Sequence, residues 1–237
     1  MTGRKLLTSP MARAVLDFVF PPLCPGCGEY LDGEHPICGT CRGRFDTYEF
    51  PFCIRCRLQI SVWPECPSCR CSLLPLFAYG NYVDPLKQVI LEMKFRGMLD
   101  SIPELVDGLT ETFGERIASR QADCLVPIPL HPAREYARGY NQALEIASAL
   151  SCRLELPVQR GLLYRHAKRK PQQTLPAARR ATNIRGVFDV AGSDLEGARV
   201  LLVDDIVTSG ETAMEATRVL EAAGHRVVGV IALAHGL

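Results

Sequence analysis

Four cysteine pairs of identical spacing stand near the front of the chain: Cys24-Pro-Gly-Cys27, Cys38-Gly-Thr-Cys41, Cys53-Ile-Arg-Cys56 and Cys66-Pro-Ser-Cys69. Two intervening residues form a tight turn that aims both sulfurs at one point, and Gly and Pro inside the pairs suit that turn. Zinc takes four such thiolates in a tetrahedron, with Zn–S near ~2.3 Å. Eight thiolates therefore predict two metal sites. Sequential pairing places Cys24, Cys27, Cys38 and Cys41 in one and Cys53, Cys56, Cys66 and Cys69 in the other, whereas a cross-braced arrangement would alternate the pairs. The sequential arrangement closes shorter loops and costs less chain entropy. Cys71 can stand in for Cys69. An iron–sulfur cluster uses the same ligands, but the regular double-pair spacing is ribbon-like. His35 reads as a surface residue, and Cys124 and Cys152 read as small buried hydrophobes.

A second constellation lies at Val200-Leu-Leu-Val-Asp-Asp-Ile-Val-Thr-Ser-Gly-Glu-Thr212. An apolar strand ends in Asp204 and Asp205, and a small-residue loop then opens a helix. The carboxyl end of a parallel strand is where α/β sheets bind ligands. Backbone N–H groups and hydroxyls over Thr208, Ser209, Gly210, Glu211 and Thr212 can hold a phosphate at the helix N-terminus. Asp204 and Asp205 can accept hydrogen bonds from sugar hydroxyls on the same ligand, so the pattern predicts a phosphorylated ribose. The magnesium-holding strand of P-loop ATPases also ends in acids, but G-x-x-x-x-G-K-[ST] is absent from the chain, as is G-x-G-x-x-G.

These residues need a sheet to position them. From Leu76 onward helix and strand patterns alternate: helices over 83–96, 102–117, 142–152 and 211–223, and strands over 124–129, 161–165, 186–190, 199–204 and 227–234. The runs at 199–204 and 227–234 are apolar throughout, as in strands covered on both faces. The prediction is an α/β fold, with a parallel sheet flanked by helices and a small N-terminal zinc-ribbon-like module. Three regions follow: an amphipathic helix over 1–20, a double zinc-binding module over 21–75, and the α/β domain over 76–237. Met11, Ala14, Val15, Phe18 and Val19 form the apolar stripe of the first. No small-residue cleavage site follows it. The expectation is a cytoplasmic, reducing compartment, where dense cysteines mean metal rather than disulfides.

Composition narrows the classes. In 237 residues, 27 Lys+Arg oppose 26 Asp+Glu, for a net charge of +1, and 47% of residues are hydrophobic. That excludes global disorder and a generally basic nucleic-acid coat. No run approaches the ~18 apolar residues of a membrane span. Eight thiolates with two Zn²⁺ would take the charge to about −3. Eleven cysteines are the outlier, nine of them between Cys24 and Cys71. Arg160–Arg185 is a locally basic stretch, holding Lys168, Arg169, Lys170, Arg179 and Arg180 and no acid. A solvated face, a lid over a diphosphate and a contact for single-stranded DNA all suit it. Stacking aromatics there are sparse.

Val200–Thr212 closely resembles the ribose-phosphate signature of type I phosphoribosyltransferases, which bind phosphoribosyl pyrophosphate (PRPP) with Mg²⁺. The cysteine pairs after Phe20-Pro-Pro22, Lys94-Phe-Arg-Gly97, Pro127-Ile-Pro-Leu-His-Pro132, Arg138-Gly-Tyr-Asn-Gln142 and the stretch from Gln172 to Phe188 narrow the resemblance to the ComF family. Arg179 departs from it, standing where the family usually has an acid. The resemblance implies a type I phosphoribosyltransferase-like sheet with an N-terminal zinc finger. It also implies a role with single-stranded DNA and other DNA-uptake proteins in natural transformation, without an assigned transfer reaction. It places ribose hydroxyls on Asp204 and Asp205, and the 5′-phosphate on residues 208–212. Arg134, Arg138 and Gly139, in the loop after the 124–129 strand, and the lid residues Lys168, Arg169 and Lys170 are the pyrophosphate candidates. No residue stands out as a general base, so no catalytic residue is assigned.

Overall fold

The computed structural model describes residues 21–31, 35–60, 66–69, 73–166, 186–192 and 195–236. The expected N-terminal helix, Cys71 and the cations from Lys168 to Arg180 lie outside the described residues.

The elements are α1 (Gly39–Arg42), β1 (Phe52–Cys53), β2 (Pro75–Asn81), α2 (Leu86–Phe95), α3 (Ile102–Ala118), β3 (Cys124–Pro127), α4 (Pro132–Arg138), α5 (Gln142–Leu154), β4 (Leu163–Arg165), β5 (Phe188–Val190), β6 (Arg199–Val207), α6 (Glu211–Ala222) and β7 (Arg226–His235). The main sheet has the order β1-β2-β7-β6-β3. Strands β2, β7, β6 and β3 are parallel, and β1 joins the edge antiparallel. A separate antiparallel pair, β4–β5, stands outside it.

Alternation along β6 divides the apolar residues between two cores. Leu201 and Val203 face the layer of α2, α3 and α5, while Val200 and Leu202 face α6 and Phe188 of β5. That two-sided burial explains why the strand reads as an unbroken apolar run. On α3, Leu105, Val106, Leu109, Phe113 and Ile117 recur at helical spacing and are buried. Asn141 caps α5 through its side chain, as N-terminal donors require.

The sequence reading needs four corrections. A strand not marked by it, Pro75–Asn81, borders β7. The first long helix starts at Leu86 rather than at residue 83. Arg134 and Arg138 stand on a short helix, α4, where a loop is expected. Cys124 is buried as expected, but Cys152 is exposed on α5.

Cysteine-rich residues are not a loose appendage. Cys24, Ile37 and Cys41 join the core formed with α2 and α3. Phe52 and Ile54 join the core on the opposite face. Arg42 approaches Glu104 of α3 at 3.4 Å, with His35 at 3.7 Å from the same carboxylate.

Candidate functional site

Two sulfur clusters form. The sulfurs of Cys24, Cys27, Cys38 and Cys41 lie within 4.8 Å of one another, and so do those of Cys53, Cys56, Cys66 and Cys69. None of these cysteines is in a disulfide. Nearest sulfur pairs are 3.4 Å apart for Cys56–Cys66 and 3.7 Å for Cys27–Cys38. Their electrostatics suit a cation. Burial pushes the Cys24 thiol up, but backbone N–H groups of Cys38, Gly26 and Cys27 outweigh it and hold it at about 7. Cys41 is driven far up by burial and then by its neighbouring sulfurs. In the second cluster the Cys69 N–H holds Cys66 down at about 6, while burial lifts Cys53 to about 12. One sulfur in each cluster ionises easily and another resists until positive charge arrives. Four thiolates at this spacing fit tetrahedral zinc.

The acid pair is at the carboxyl end of β6. Asp204 Oδ1 accepts from the Asp205 N–H at 2.8 Å. Asp205 is buried and its Oδ1 lies 3.0 Å from Lys94 Nζ of α2. Burial first, and the charge of Asp205 second, push the Asp204 carboxyl up to about 8, against the Asp205 N–H, Lys94 and Arg165. Arg165 of β4 is itself lowered, by burial first and Arg134 second, while Asp204 pulls the other way. Arg134, Arg165 and Asp204 thus share one electrostatic neighbourhood. Tyr82 is raised by burial and then by Asp205.

This predicts a pH dependence. A carboxyl raised from the ordinary range keeps its proton in the fold when the unfolded chain has lost it. Folding stability from Asp204 is therefore full below about pH 4 and is lost as pH rises toward 8. Thermal denaturation of the ligand-free protein should show Asp204→Asn gaining on wild type between pH 5 and 8. A constant difference across that range would contradict the assignment.

Beyond the acids, Thr208 and Ser209 are exposed, and Gly210 adopts φ +76° as the residue preceding α6. A left-handed φ strains a residue with a Cβ. Amides at the start of α6 are available to an anion there. Glu211 N–H leans on Ser209 Oγ at 3.4 Å. Residues 204–212 expected to act together are thus contiguous at one strand end.

On the other side, a cleft of about 720 Å³ is lined by Lys94, Phe95, Arg96, Arg134, Arg138 and Tyr140, among others. Arg138 donates to Gln142 Oε1 at 2.5 Å and sits 5.7 Å over the Phe95 ring. The Tyr140 hydroxyl donates to the Met93 carbonyl, which fixes the end of α2 beside Lys94. Gly139 is exposed at φ +83° after α4. Phe95, which lines the cleft, is 75% exposed, so an aromatic face accompanies the cations.

Sequence reasoning did not select Lys94 and Arg165 as site residues. Lys94 sits in a segment singled out for its resemblance, which was the available signal. Arg165 had none beyond its place in a basic stretch.

A phosphoribosyl transferase domain model matches residues 139–236, and a double zinc ribbon domain model matches residues 15–70. Competence protein F of Haemophilus influenzae is 29% identical over 217 residues, covering 90% of each chain. Competence protein ComFC of Bacillus subtilis is 29% identical over 199 residues, covering 80% of each. DNA utilization protein YhgH of Escherichia coli K12 is 28% identical over 226 residues, covering 92% of this chain and 98% of the relative. No helix among the described residues is long and apolar enough to cross a membrane.

Proposed function

The chain belongs to the ComF family, with a double zinc ribbon and a phosphoribosyltransferase-like domain, and from that premise we propose that it binds Mg²⁺-PRPP and assists the handling of incoming single-stranded DNA. One observation carries the first part: two carboxylates near the end of a parallel strand are followed, across a short exposed loop, by a left-handed glycine that opens a helix. Ribose 2′- and 3′-hydroxyls donate to Asp204 and Asp205. Residues 208–212 take the 5′-phosphate through backbone amides and hydroxyls. Arg134, Arg138 and Arg165 face the diphosphate, and Lys94 transfers from Asp205 toward it when ribose hydroxyls replace it. Magnesium supplies charge neutralisation on that diphosphate when bound. Calorimetric titration of wild type with Mg-PRPP should show saturable binding, and its absence would remove this reading.

The DNA part is supported by the cleft of cations that exposed Phe95 lines, a pairing suited to a polyanion with stackable bases. The relatives' names, competence and DNA utilization, point the same way. Anisotropy with a fluorescent single-stranded oligonucleotide should give affinity that falls steeply with salt. Arg134→Glu with Arg138→Glu should weaken it about tenfold and flatten the salt slope, each lost phosphate contact reducing that slope by roughly 0.7. An unchanged slope would exclude this face.

An active transferase is a second reading, favoured by the same cluster of cations, because a departing Mg-diphosphate needs neutralisation. Release of pyrophosphate from PRPP with any nucleobase would establish it. Binding without turnover leaves a PRPP-responsive regulator or DNA-handling factor.

A further inference from the structure

The second sulfur cluster and the anion loop are in direct contact. Ile54 follows Cys53 in the Cys53–Cys56 turn and is 3% exposed. Its Cγ1 and carbonyl oxygen stand 3.0 and 3.1 Å from the place a Cβ on Gly210 would occupy. Gly210 is the residue that turns the loop into α6, so the knuckle fills the space behind that turn. On the other side of Cys53, the Phe52 ring lies 4.8 Å from the His235 ring. His235 is buried, and its Nδ1 donates to the Val207 carbonyl at 2.8 Å. Val207 is the last residue of β6 before Thr208. Both ends of the 207–210 turn therefore rest on the neighbours of one cysteine: Phe52 through His235 on Val207, and Ile54 on Gly210.

The first cluster has different surroundings. Gly26 abuts Cys41 and Pro85, and Cys24 and Cys41 pack into the α2–α3 core. The two metal sites are alike in ligands and unlike in what they support.

We propose that the second cluster positions the anion loop. With Cys53, Cys56, Cys66 and Cys69 drawn onto one metal ion, Phe52 and Ile54 hold Val207 and Gly210 so that the 208–212 amides converge on one anion. Loss of that ion loosens the turn and lowers affinity for the phosphate it cradles. The inference rests on the reading of 208–212 as a phosphate loop. Linkage makes the coupling reciprocal: an anion bound at the loop must tighten metal at the second cluster by the same factor.

Two measurements on the full-length, zinc-loaded protein decide it. Hydrogen exchange without any ligand reports the turn through the amides bonded to its two ends, Gly236 N–H on the Val207 carbonyl and Met214 N–H on the Gly210 carbonyl, and calorimetry with Mg-PRPP reports affinity. Ile54→Ala and Cys69→Ser should speed exchange at Met214 and Gly236 and weaken Mg-PRPP about tenfold, within the usual range of coupling between sites. Ile54→Val should restore most of both, and Cys27→Ser, in the first cluster, should leave Met214 and Gly236 protected. Exchange in β6 and β7 separates a local effect from general unfolding. Where Cys69→Ser opens those strands too, the Ile54 pair and the reciprocal measurement decide: Mg-PRPP should slow chelator removal of one zinc equivalent and not the other. Unchanged exchange at Met214 and Gly236 in Ile54→Ala, or equal slowing of both zinc ions, overturns the proposal. If wild type fails to bind Mg-PRPP, the reading of the ligand falls, and exchange after zinc removal alone decides the coupling.

Discussion

Replacing Asp204 and Asp205 together by asparagine is expected to weaken Mg-PRPP binding at least tenfold, roughly 1.4 kcal/mol or more. Asparagine keeps the size of each side chain and one carbonyl oxygen, so β6 should still form. It removes the charge that makes hydrogen bonds from ribose hydroxyls strong, since bonds to an ionised acceptor are about twice as strong as neutral ones. The two positions are unequal. Asp205 is engaged by Lys94 at 3.0 Å in the free protein. Ribose must replace that ion pair, and both partners are largely withdrawn from water, which makes an abandoned charge costly. Asp205→Asn alone should thus release Lys94 as well as remove an acceptor. Asp204, held up at about 8 by burial and by Asp205, begins largely protonated at neutral pH. An ionised Asp204 in the complex therefore means proton release on binding. Calorimetry of wild type in buffers of different ionisation enthalpy should show that release near pH 7, and Asp204→Asn should abolish it. Equal affinity of the double variant and wild type would move the ribose elsewhere.

The pieces legible in the sequence were those whose chemistry is contiguous. C-x-x-C spacing carries its own geometry, and the run from Val200 to Thr212 holds strand, acids, loop and helix start in one segment. Long apolar runs identified β6 and β7 because both faces of those strands are covered. What escaped depends on tertiary approach. Lys94 and Arg165 reach the acids from α2 and β4, elements far from β6 in the chain. Strand β2 was missed because Pro75 opens it and Gly80 and Asn81 close it, residues that weaken a strand pattern. α4 was missed because Pro132 reads as loop, although proline at a first helical turn is favourable. The exposure of Cys152 did have a sequence signal, since Ala143, Ile146, Ala147 and Leu150 set the stripe that turns α5 inward and position 152 falls off it. The contact of Ile54 on Gly210 is invisible for the same reason as Lys94: nothing local in Cys53–Cys56 says what lies behind it.

Stripping both metal ions is expected to produce the largest loss of stability available to this chain. Structural zinc contributes on the order of 10 kcal/mol or more to folding of isolated zinc-finger peptides. Here the clusters are built into larger cores, so each ion's share is smaller, but the sulfurs cannot simply be abandoned. Cys24 and Cys41 are 2% and 1% exposed, and Cys53 and Cys66 are 0% and 1% exposed. Without metal, two of these buried thiols resist ionisation strongly, while Cys24 and Cys66 are held as the easier thiolates. That leaves either buried charge without a counter-ion or protonated sulfurs crowded at distances as short as 3.4 Å. A strong chelator at neutral pH should release two zinc equivalents per chain and lower the melting temperature by about 10 °C or more, since 1 kcal/mol moves a domain of this size by roughly 2–4 °C. Thiol titration should rise in step with zinc release. Cobalt substitution should give a tetrahedral tetrathiolate spectrum at both sites, whereas a protein coloured as purified and releasing iron would carry iron–sulfur clusters instead. An unshifted melting temperature after full zinc release would mean that hydrophobic contacts alone, Ile37 and Phe52 among them, hold the ribbon on the sheet. Both cores extend through the ribbon into the α/β layers, so the loss should spread: helices α2 and α3 should lose protection with the first site, and the turn after β6 with the second.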